Sequence, residues 1–179
     1  MKIKSAGILT AATLVLAAGN ANANLLFDIY GGATIGMGAS TTFYDGHSDT
    51  HSAQSYGAVI GLDIPLFRVE AEYNYLYHDA EKLHIGMLNA YAKMPTLMLQ
   101  PYIGAGVGAV FAGSSDYDTD IDTRGAYQAM LGVTFDVPVL PLKFDAEARA
   151  LYANGIYEIA DKKADVLHYD LRLKMRYIF

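Results

Sequence analysis

The chain has 179 residues, of which 53% are hydrophobic, and its 13 Lys and Arg stand against 19 Asp and Glu, a formal net charge of −6. This acidic balance argues against nucleic acid as a partner, and the length allows a single domain. There is no cysteine, which excludes disulfide bonds and thiolate metal sites.

The first 23 residues have the features of a secretion signal. Two lysines precede an apolar stretch over residues 8–18, and Ala21 and Ala23 supply the small residues of a cleavage site. The alternative is a retained membrane anchor, but the stretch is shorter than the roughly 20 residues that span a bilayer. We therefore expect a signal peptide at 1–23 and one outer-membrane β-barrel domain at 24–179.

Eight later segments alternate between apolar and polar residues with a period of two, which is typical of β-strands with unlike faces. Their approximate limits are 25–39, 56–64, 67–77, 84–94, 99–111, 127–137, 143–152 and 169–179.

The connections between these segments alternate in length. Short Pro-containing turns fall near 65–66, 95–97 and 138–141, and longer polar loops fall near 40–54, 78–83, 113–123 and 153–166. Outer-membrane barrels have an even number of strands, short periplasmic turns and longer external loops. The pattern thus predicts an all-β protein, an eight-stranded antiparallel transmembrane β-barrel with both termini periplasmic.

Each segment has one uncharged apolar face and one face that often carries charge. In the fourth segment, for example, we place Leu88, Ala90 and Ala92 outward and Asn89, Tyr91 and Lys93 inward. A soluble sandwich would bury the apolar face, whereas a membrane barrel turns it to the lipid. The secretion signal, the C-terminal aromatic residue and the unequal connections favour the membrane.

The last segment ends on aromatic residues at alternate positions. Tyr177 and Phe179 resemble the closing positions of the C-terminal signal that the barrel assembly machinery recognises, although Lys174 stands where that signal usually has Gly. We therefore expect Tyr177 and Phe179 to act as the assembly signal.

The inward faces hold nearly balanced charge. They carry seven basic residues (Arg68, Lys93, Lys143, Arg149, Arg172, Lys174, Arg176) and eight acidic ones (Asp28, Asp63, Glu70, Glu72, Asp136, Asp145, Glu147, Asp170). Buried charges are costly unless they are paired, and an eight-stranded barrel is only wide enough for its own side chains. We predict a plugged lumen with an ion-pair network of Arg68, Glu70, Glu72, Lys143, Asp145, Glu147, Arg149, Arg172, Lys174 and Arg176.

Four stretches resemble the small eight-stranded surface-antigen barrels of the opacity-protein-like superfamily. They are Tyr30-Gly31-Gly32, Leu88-Asn89-Ala90-Tyr91, Pro101-Tyr102-Ile103-Gly104-Ala105-Gly106-Val107-Gly108 and the terminal Phe179. The resemblance implies a surface-exposed barrel, whose loops serve adhesion or immune evasion in some members of the superfamily.

Three other patterns suggest chemistry but have plainer explanations. Gly104, Gly106 and Gly108 lie in an alternating strand with no helix after it, so they fit space for lumen side chains better than a nucleotide loop. An acidic ladder of weak cation-site candidates (Asp116, Asp118, Asp120, Asp122) lacks the Gly and the distant Glu of a calcium loop, which favours a solvated loop.

Five histidines occur, and none forms a metal-type pair with an acid on a strand face in the sequence pattern. His47 and His51 lie beside Ser48 and Ser52, so a lipid-modifying Ser–His site near the external rim is one hypothesis.

The favoured function is a non-enzymatic structural or surface-interaction barrel, adhesin-like in one version, without a cofactor. A narrow pore for ions or small solutes is the alternative, and a lipid-acting enzyme is less favoured. The expected partners are outer-membrane lipid and lipopolysaccharide, the barrel assembly machinery during biogenesis, and a surface ligand that the sequence does not identify.

Overall fold

The computed structural model describes residues 27–44, 47–78, 81–96, 99–114, 124–159 and 162–179. These residues form eight strands: β1 (Asp28–Tyr44), β2 (His47–Asp63), β3 (Phe67–His78), β4 (Glu81–Lys93), β5 (Leu99–Ser114), β6 (Arg124–Asp136), β7 (Leu142–Ile159) and β8 (Lys162–Ile178). No helix in this described part is long and apolar enough to cross a membrane.

The strands close into one antiparallel barrel in chain order. Each strand pairs with its sequence neighbours, and β8 returns to pair with β1, from Tyr30 opposite Ile178 to Phe43 opposite Asp165. Closure leaves no unpaired sheet edge along these strands, so the backbone groups of the wall are satisfied without solvent. The predicted eight-stranded antiparallel barrel is confirmed.

The two ends of the barrel differ in their connections. We call the turn end the one where residues 64–66, 94–98 and 137–141 join the strands, and the hairpin end the opposite one. The three predicted short turns lie at the turn end. Its first turn is closed by a hydrogen bond from the Ile64 N–H to the Phe67 carbonyl, 2.8 Å.

The predicted long loops at 40–54 and 153–166 are wrong. Strand β1 pairs with β2 as far as Tyr44 opposite His47, and β7 pairs with β8 as far as Ile159 opposite Lys162. Polar side chains do not by themselves prevent a strand, and Thr is a good strand former. The Thr41 and Thr50 hydroxyls face each other at 3.0 Å across this extension.

The other two predicted loops are also shorter than the sequence suggested. Pairing of β3 with β4 continues to His78 opposite Glu81, so most of 78–83 is strand. Strand β5 ends at Ser114 and β6 begins at Arg124, which leaves 115–123 as the part of the third predicted loop outside the described residues.

The side chains have the reverse polarity of a soluble sheet protein. Large apolar residues such as Ile103, Leu131 and Leu171 are more than 60% exposed on the outer face, while Arg68, Arg172 and Arg176 are fully buried inside. The inward and outward assignments for the fourth segment are confirmed, since Asn89, Tyr91 and Lys93 are buried and their neighbours exposed. A wall of this polarity suits lipid outside and a polar interior.

Candidate functional site

The lumen at the turn end begins with a shallow open vestibule of 530 Å³. The Lys143 Nζ lies 3.3 Å from Asp63 and 3.7 Å from Asp136. The same ammonium is 4.0 Å from Asp28, and Lys93 forms a second ion pair with Asp63. Each carboxylate at this end of the lumen thus has an ammonium group beside it. Pairing with an opposite charge stabilises carboxylates that have little access to solvent.

The next layer of the lumen is organised around Asp145. Arg176 donates to both carboxylate oxygens, with Nε–Oδ2 at 2.8 Å and Nη2–Oδ1 at 2.9 Å. Arg68 adds a third contact at 3.2 Å. The Arg68 guanidinium also lies 3.9 Å from the Tyr91 ring centre and 4.6 Å from that of Tyr102, within cation–π range. Aromatic faces here replace part of the solvation that the buried guanidinium has lost.

Glu70 is the centre of a third group. It accepts hydrogen bonds from the Lys174 ammonium at 2.6 Å, from the Tyr30 hydroxyl at 2.7 Å and from the Tyr91 hydroxyl at 2.9 Å. Lys174 is on β8 and Glu70 on β3, so this ion pair crosses the lumen. Three donors on one carboxylate offset most of the cost of burying its charge.

Arg172 bridges two acids from different strands. Its guanidinium contacts Glu72 of β3 and Glu147 of β7, and all three side chains are buried. Glu72 also accepts from the Asn89 amide at 2.7 Å and from the Gln128 amide at 3.1 Å. This triad spans the barrel and fills the space that a water-filled channel would occupy.

A fifth group lies towards the hairpin end, around Asp170. Arg149 binds the Asp170 carboxylate in a bidentate manner, with Nε–Oδ1 at 2.8 Å and Nη2–Oδ2 at 2.6 Å. The Ser55 hydroxyl donates to the same carboxylate at 2.7 Å. His168 Nε2 lies 3.2 Å from the same carboxylate, and the Ser40 hydroxyl lies 3.0 Å from His168 Nδ1.

The Ser40, His168 and Asp170 side chains are therefore neighbours, as in a nucleophilic site, but the approach of His168 Nε2 to Asp170 lacks hydrogen-bond geometry. All three are also buried, and Asp170 is already held by Arg149. A nucleophile must also reach its substrate, and these side chains present almost no surface. The arrangement acts as part of the lumen filling.

The hairpin end of the lumen is lined by an apolar layer, which we call the apolar cap. Its members are buried and come from all strands except β1: Ala53, Leu76, Leu83, Ile85, Met87, Val110, Ala126, Leu151, Ala153 and Val166. These residues face inward between the hairpin end and the charged part of the lumen, so they separate the ion pairs from the hairpin end. Burial of apolar surface here favours closure.

All ten residues of the predicted lumen set face inward. Nine are buried and Lys143 is half-buried at the mouth. The sequence did not identify which acid faces which base, because the contacts join strands distant in the chain.

The sequence pattern did not identify the contact of His168 with Asp170. His168 and Asp170 are two residues apart on one strand and share its inner face, where their side chains meet at 3.2 Å. The i, i+2 spacing was the signal that could have identified this pair. Within the described residues no group of acids and histidines could hold a metal ion.

The other candidates from sequence have different outcomes. Asp116, Asp118, Asp120 and Asp122 lie outside the described residues, as does the signal peptide at 1–23. His47 and His51 are four residues apart on β2, about 13 Å along the strand.

Two rings of aromatic residues surround the outer surface. At the turn end are Phe27, Phe67, Phe135, Phe144, Tyr177 and Phe179, and towards the hairpin end are Tyr56, Tyr73, Tyr77, Phe111, Tyr127, Tyr152 and Tyr169. Between them the exposed residues are aliphatic. Aromatic girdles that flank an apolar band are typical of a barrel in a bilayer.

The barrel is similar to solved outer-membrane barrels. Neisserial surface protein A (NspA) gives a TM-score of 0.64 at 20% identity, covering 84% of this chain and 97% of that one. The N-terminal β-barrel domain of Pseudomonas aeruginosa OprF gives 0.55 at 17% identity over 82% and 97%. The outer membrane enzyme PagL gives 0.59 at 15% identity over 80% and 97%.

No protein-family model matches the sequence, and the comparison with curated proteins gives no match. At these identities the structural likeness shows the fold alone. Proteins that share one fold can have different activities. The expected resemblance to eight-stranded outer-membrane barrels is confirmed at that level.

Proposed function

We propose that this chain is an integral outer-membrane barrel that does not conduct ions and acts through its surface, in a structural or surface-interaction role. The observation that supports this most is the combination of a lipid-compatible exterior with a lumen filled by buried ion pairs below an apolar cap. A barrel with a filled lumen interacts with other molecules through its outer surface.

The location rests on three independent features. The solved barrels of similar fold are outer-membrane proteins, the sequence begins with the pattern of a secretion signal, and two aromatic girdles flank the apolar band. We propose that the turn end, with its short connections, faces the periplasm, as the short turns of outer-membrane barrels do, and that the hairpin end faces outward.

Two partners follow from this location. Outer-membrane glycolipid and phospholipid surround the apolar band, and the barrel assembly machinery recognises Tyr177 and Phe179 during insertion. The sequence between β5 and β6 contains Asp116, Asp118, Asp120 and Asp122, and this acidic composition favours a ligand with cationic groups or one bound through divalent ions.

Planar bilayers test the closed lumen. The purified barrel should insert without sustained open-state current, because charged and apolar side chains occupy the lumen through its length. An open porin reconstituted in the same way is the control. A sustained current from this chain would contradict the proposal and favour the narrow pore.

Single cysteines test the orientation, since the chain has none of its own. Ser48 is exposed at the hairpin end, and Thr96 is exposed at the turn end. A membrane-impermeant maleimide should label Ser48→Cys on intact cells and Thr96→Cys only after the outer membrane is opened. The opposite labelling would reverse the orientation, and no labelling of either in a membrane fraction would argue against the location.

A further inference from the structure

One outward patch of the barrel differs from the rest of its girdle because it combines aromatic rings with basic groups. We call it the β3–β5 patch, and it consists of Tyr73, Tyr75, Tyr77, Lys82, His84 and Phe111. Three successive cross-strand pairs form its frame, with Tyr73 opposite Gly86, Tyr75 opposite His84 and Tyr77 opposite Lys82.

Four rings of the patch, those of Tyr73, Tyr75, His84 and Phe111, lie close together. The His84 ring lies 5.2 Å from Tyr75, 6.0 Å from Tyr73 and 6.3 Å from Phe111, measured between centroids. These separations are within the range of favourable aromatic pairs. The register between β4 and β5 shifts at His84 and Ile85, which leaves Phe111 without a cross-strand partner. Phe111 points outward in the same alternation as Ile103 and Val107.

Gly86 lies beside two rings of the patch and adds no side chain of its own. A methyl group at this position would lie 3.5 Å from Cε1 of Phe111. Tyr73 is the cross-strand partner of Gly86, and its ring centre lies 6.2 Å from that of Phe111. Exposed aromatic rings offer flat apolar faces against which a sugar ring can pack.

His84 offers a hydrogen-bond donor to the outside. The Tyr73 hydroxyl lies 2.6 Å from His84 Nδ1. With the hydroxyl as donor, Nδ1 is the acceptor and the proton of the neutral ring is on Nε2, where it can be donated to a ligand. Lys82 is exposed two residues away on the same strand face, about 7 Å along β4.

We infer that the β3–β5 patch is a binding site for the phosphorylated sugar headgroup of an outer-leaflet glycolipid. The aromatic rings receive the sugar, and the Lys82 ammonium and the His84 Nε2–H bind its phosphate. The patch belongs to the hairpin-end girdle, so this inference rests on the proposed orientation with the hairpin end outward. Aromatic faces favour a sugar phosphate over a simple phospholipid headgroup, which would use only the basic groups.

The test uses the folded full barrel in phosphatidylcholine nanodiscs, to which lipid A is added and retained lipid is counted by native mass spectrometry. Lys82→Gln and His84→Phe should each weaken lipid A retention roughly tenfold, because each removes one polar contact to a phosphate. Phe111→Leu should weaken it as well, through loss of the stacking surface.

Matched controls distinguish the patch from general effects of charge and of the girdle. Lys163→Gln changes a lysine at the tip of the β7–β8 hairpin, and Phe135→Leu changes a girdle ring at the other end of the barrel. Both should retain lipid A like the unmodified chain. Heat-modifiable gel mobility shows that every variant is a folded barrel.

Two results would overturn the inference. Retention of lipid A by Lys82→Gln and His84→Phe at the level of the controls would exclude the patch as the site. Equal retention of phosphatidylglycerol and lipid A, with equal loss in the variants, would reduce the site to unspecific phosphate binding. Neither result depends on conductance or on the cysteine labelling, so failure here is distinct from failure of the proposed function.

Discussion

Arg172 shows most clearly how single residues determine the state of the lumen. It is fully buried and is the shared cation of Glu72 and Glu147. Replacing a buried ion pair by apolar groups can be neutral, whereas removing one partner leaves an uncompensated charge. The two cases can be separated by mutation.

We expect Arg172→Met to lower the free energy of unfolding by about 3–5 kcal/mol, because two buried carboxylates lose the cation that they share. Urea titration in detergent micelles, followed by gel mobility, measures it. The combined variant with Glu72→Gln and Glu147→Gln should recover part of the loss. A combined variant less stable than Arg172→Met alone would contradict the ion-pair account.

Val139 is a second residue at which a mutation is informative, because its backbone conformation is strained. It is fully exposed in the last turn and has a φ of 75°, a region that β-branched residues rarely adopt. Val139→Asn should raise the free energy of unfolding by about 1 kcal/mol, since Asn tolerates this conformation and no packing is lost. Leu140→Asn is the control in the same turn, and an equal gain there would show that polarity alone is responsible.

At the scale of the strands, the inward glycines of β5 determine how closely the lumen side chains approach the backbone of the barrel wall. A methyl group on Gly104 would lie 2.4 Å from Cδ1 of Tyr91. That ring cannot easily move, because Arg68 stacks on it and its hydroxyl binds Glu70. The sequence interpretation of Gly104 as space for a lumen side chain agrees with this geometry.

Gly104→Ala should therefore destabilise the barrel by about 1–3 kcal/mol through overpacking. Gly125→Ala on β6 is the matched control, because a methyl group there would meet only the Tyr127 hydroxyl at 3.9 Å. Urea unfolding of the two variants checks the prediction. Similar stability of both would mean that Tyr91 yields to the added methyl group.

The lengths of the hairpins are a second property of the strands. The β1–β2 hairpin pairs over 17 residues of each strand, whereas the β3–β4 hairpin pairs over 12. The sequence shows where the alternation of apolar and polar residues ends, and at that point the barrel wall leaves the lipid. The backbone pairing of the strands continues beyond it into water. Polarity thus reports the membrane boundary and not the strand end.

At the scale of the whole molecule, the barrel closes at its C-terminus. The Phe179 N–H donates to the Ile29 carbonyl at 2.9 Å, and its ring lies 5.4 Å from that of Tyr177, between centroids. The same ring would be 3.4 Å from a methyl group on Gly31. Phe179 therefore belongs to the β1–β8 seam, in addition to its expected role in assembly.

Phe179→Ala should lower the yield of barrel in the outer membrane several-fold. Phe135→Ala is the control, because it removes a girdle ring of similar exposure away from the seam. Membrane fractions and heat-modifiable mobility measure the yield of each. Equal loss for both variants would reduce Phe179 to an ordinary girdle residue, and unchanged yield would contradict the assembly role.

The sequence by itself determined the number of strands, their faces and the charge balance inside. Alternation is a local property, since neighbouring side chains of a strand point to opposite sides whatever the strand pairs with. That is why Arg172, Lys174 and Arg176 could be placed in the lumen from β8 alone.

Only the tertiary structure decided which groups meet. Glu70 binds Lys174, 104 residues away, and Arg172 joins β3 to β7, because barrel closure and register bring distant strands together. The apolar cap and the β3–β5 patch have the same origin: each is assembled from side chains on several strands that carry no common sequence signal. Alternation indicates the direction of a side chain, whereas its partner is fixed by the closure of the barrel.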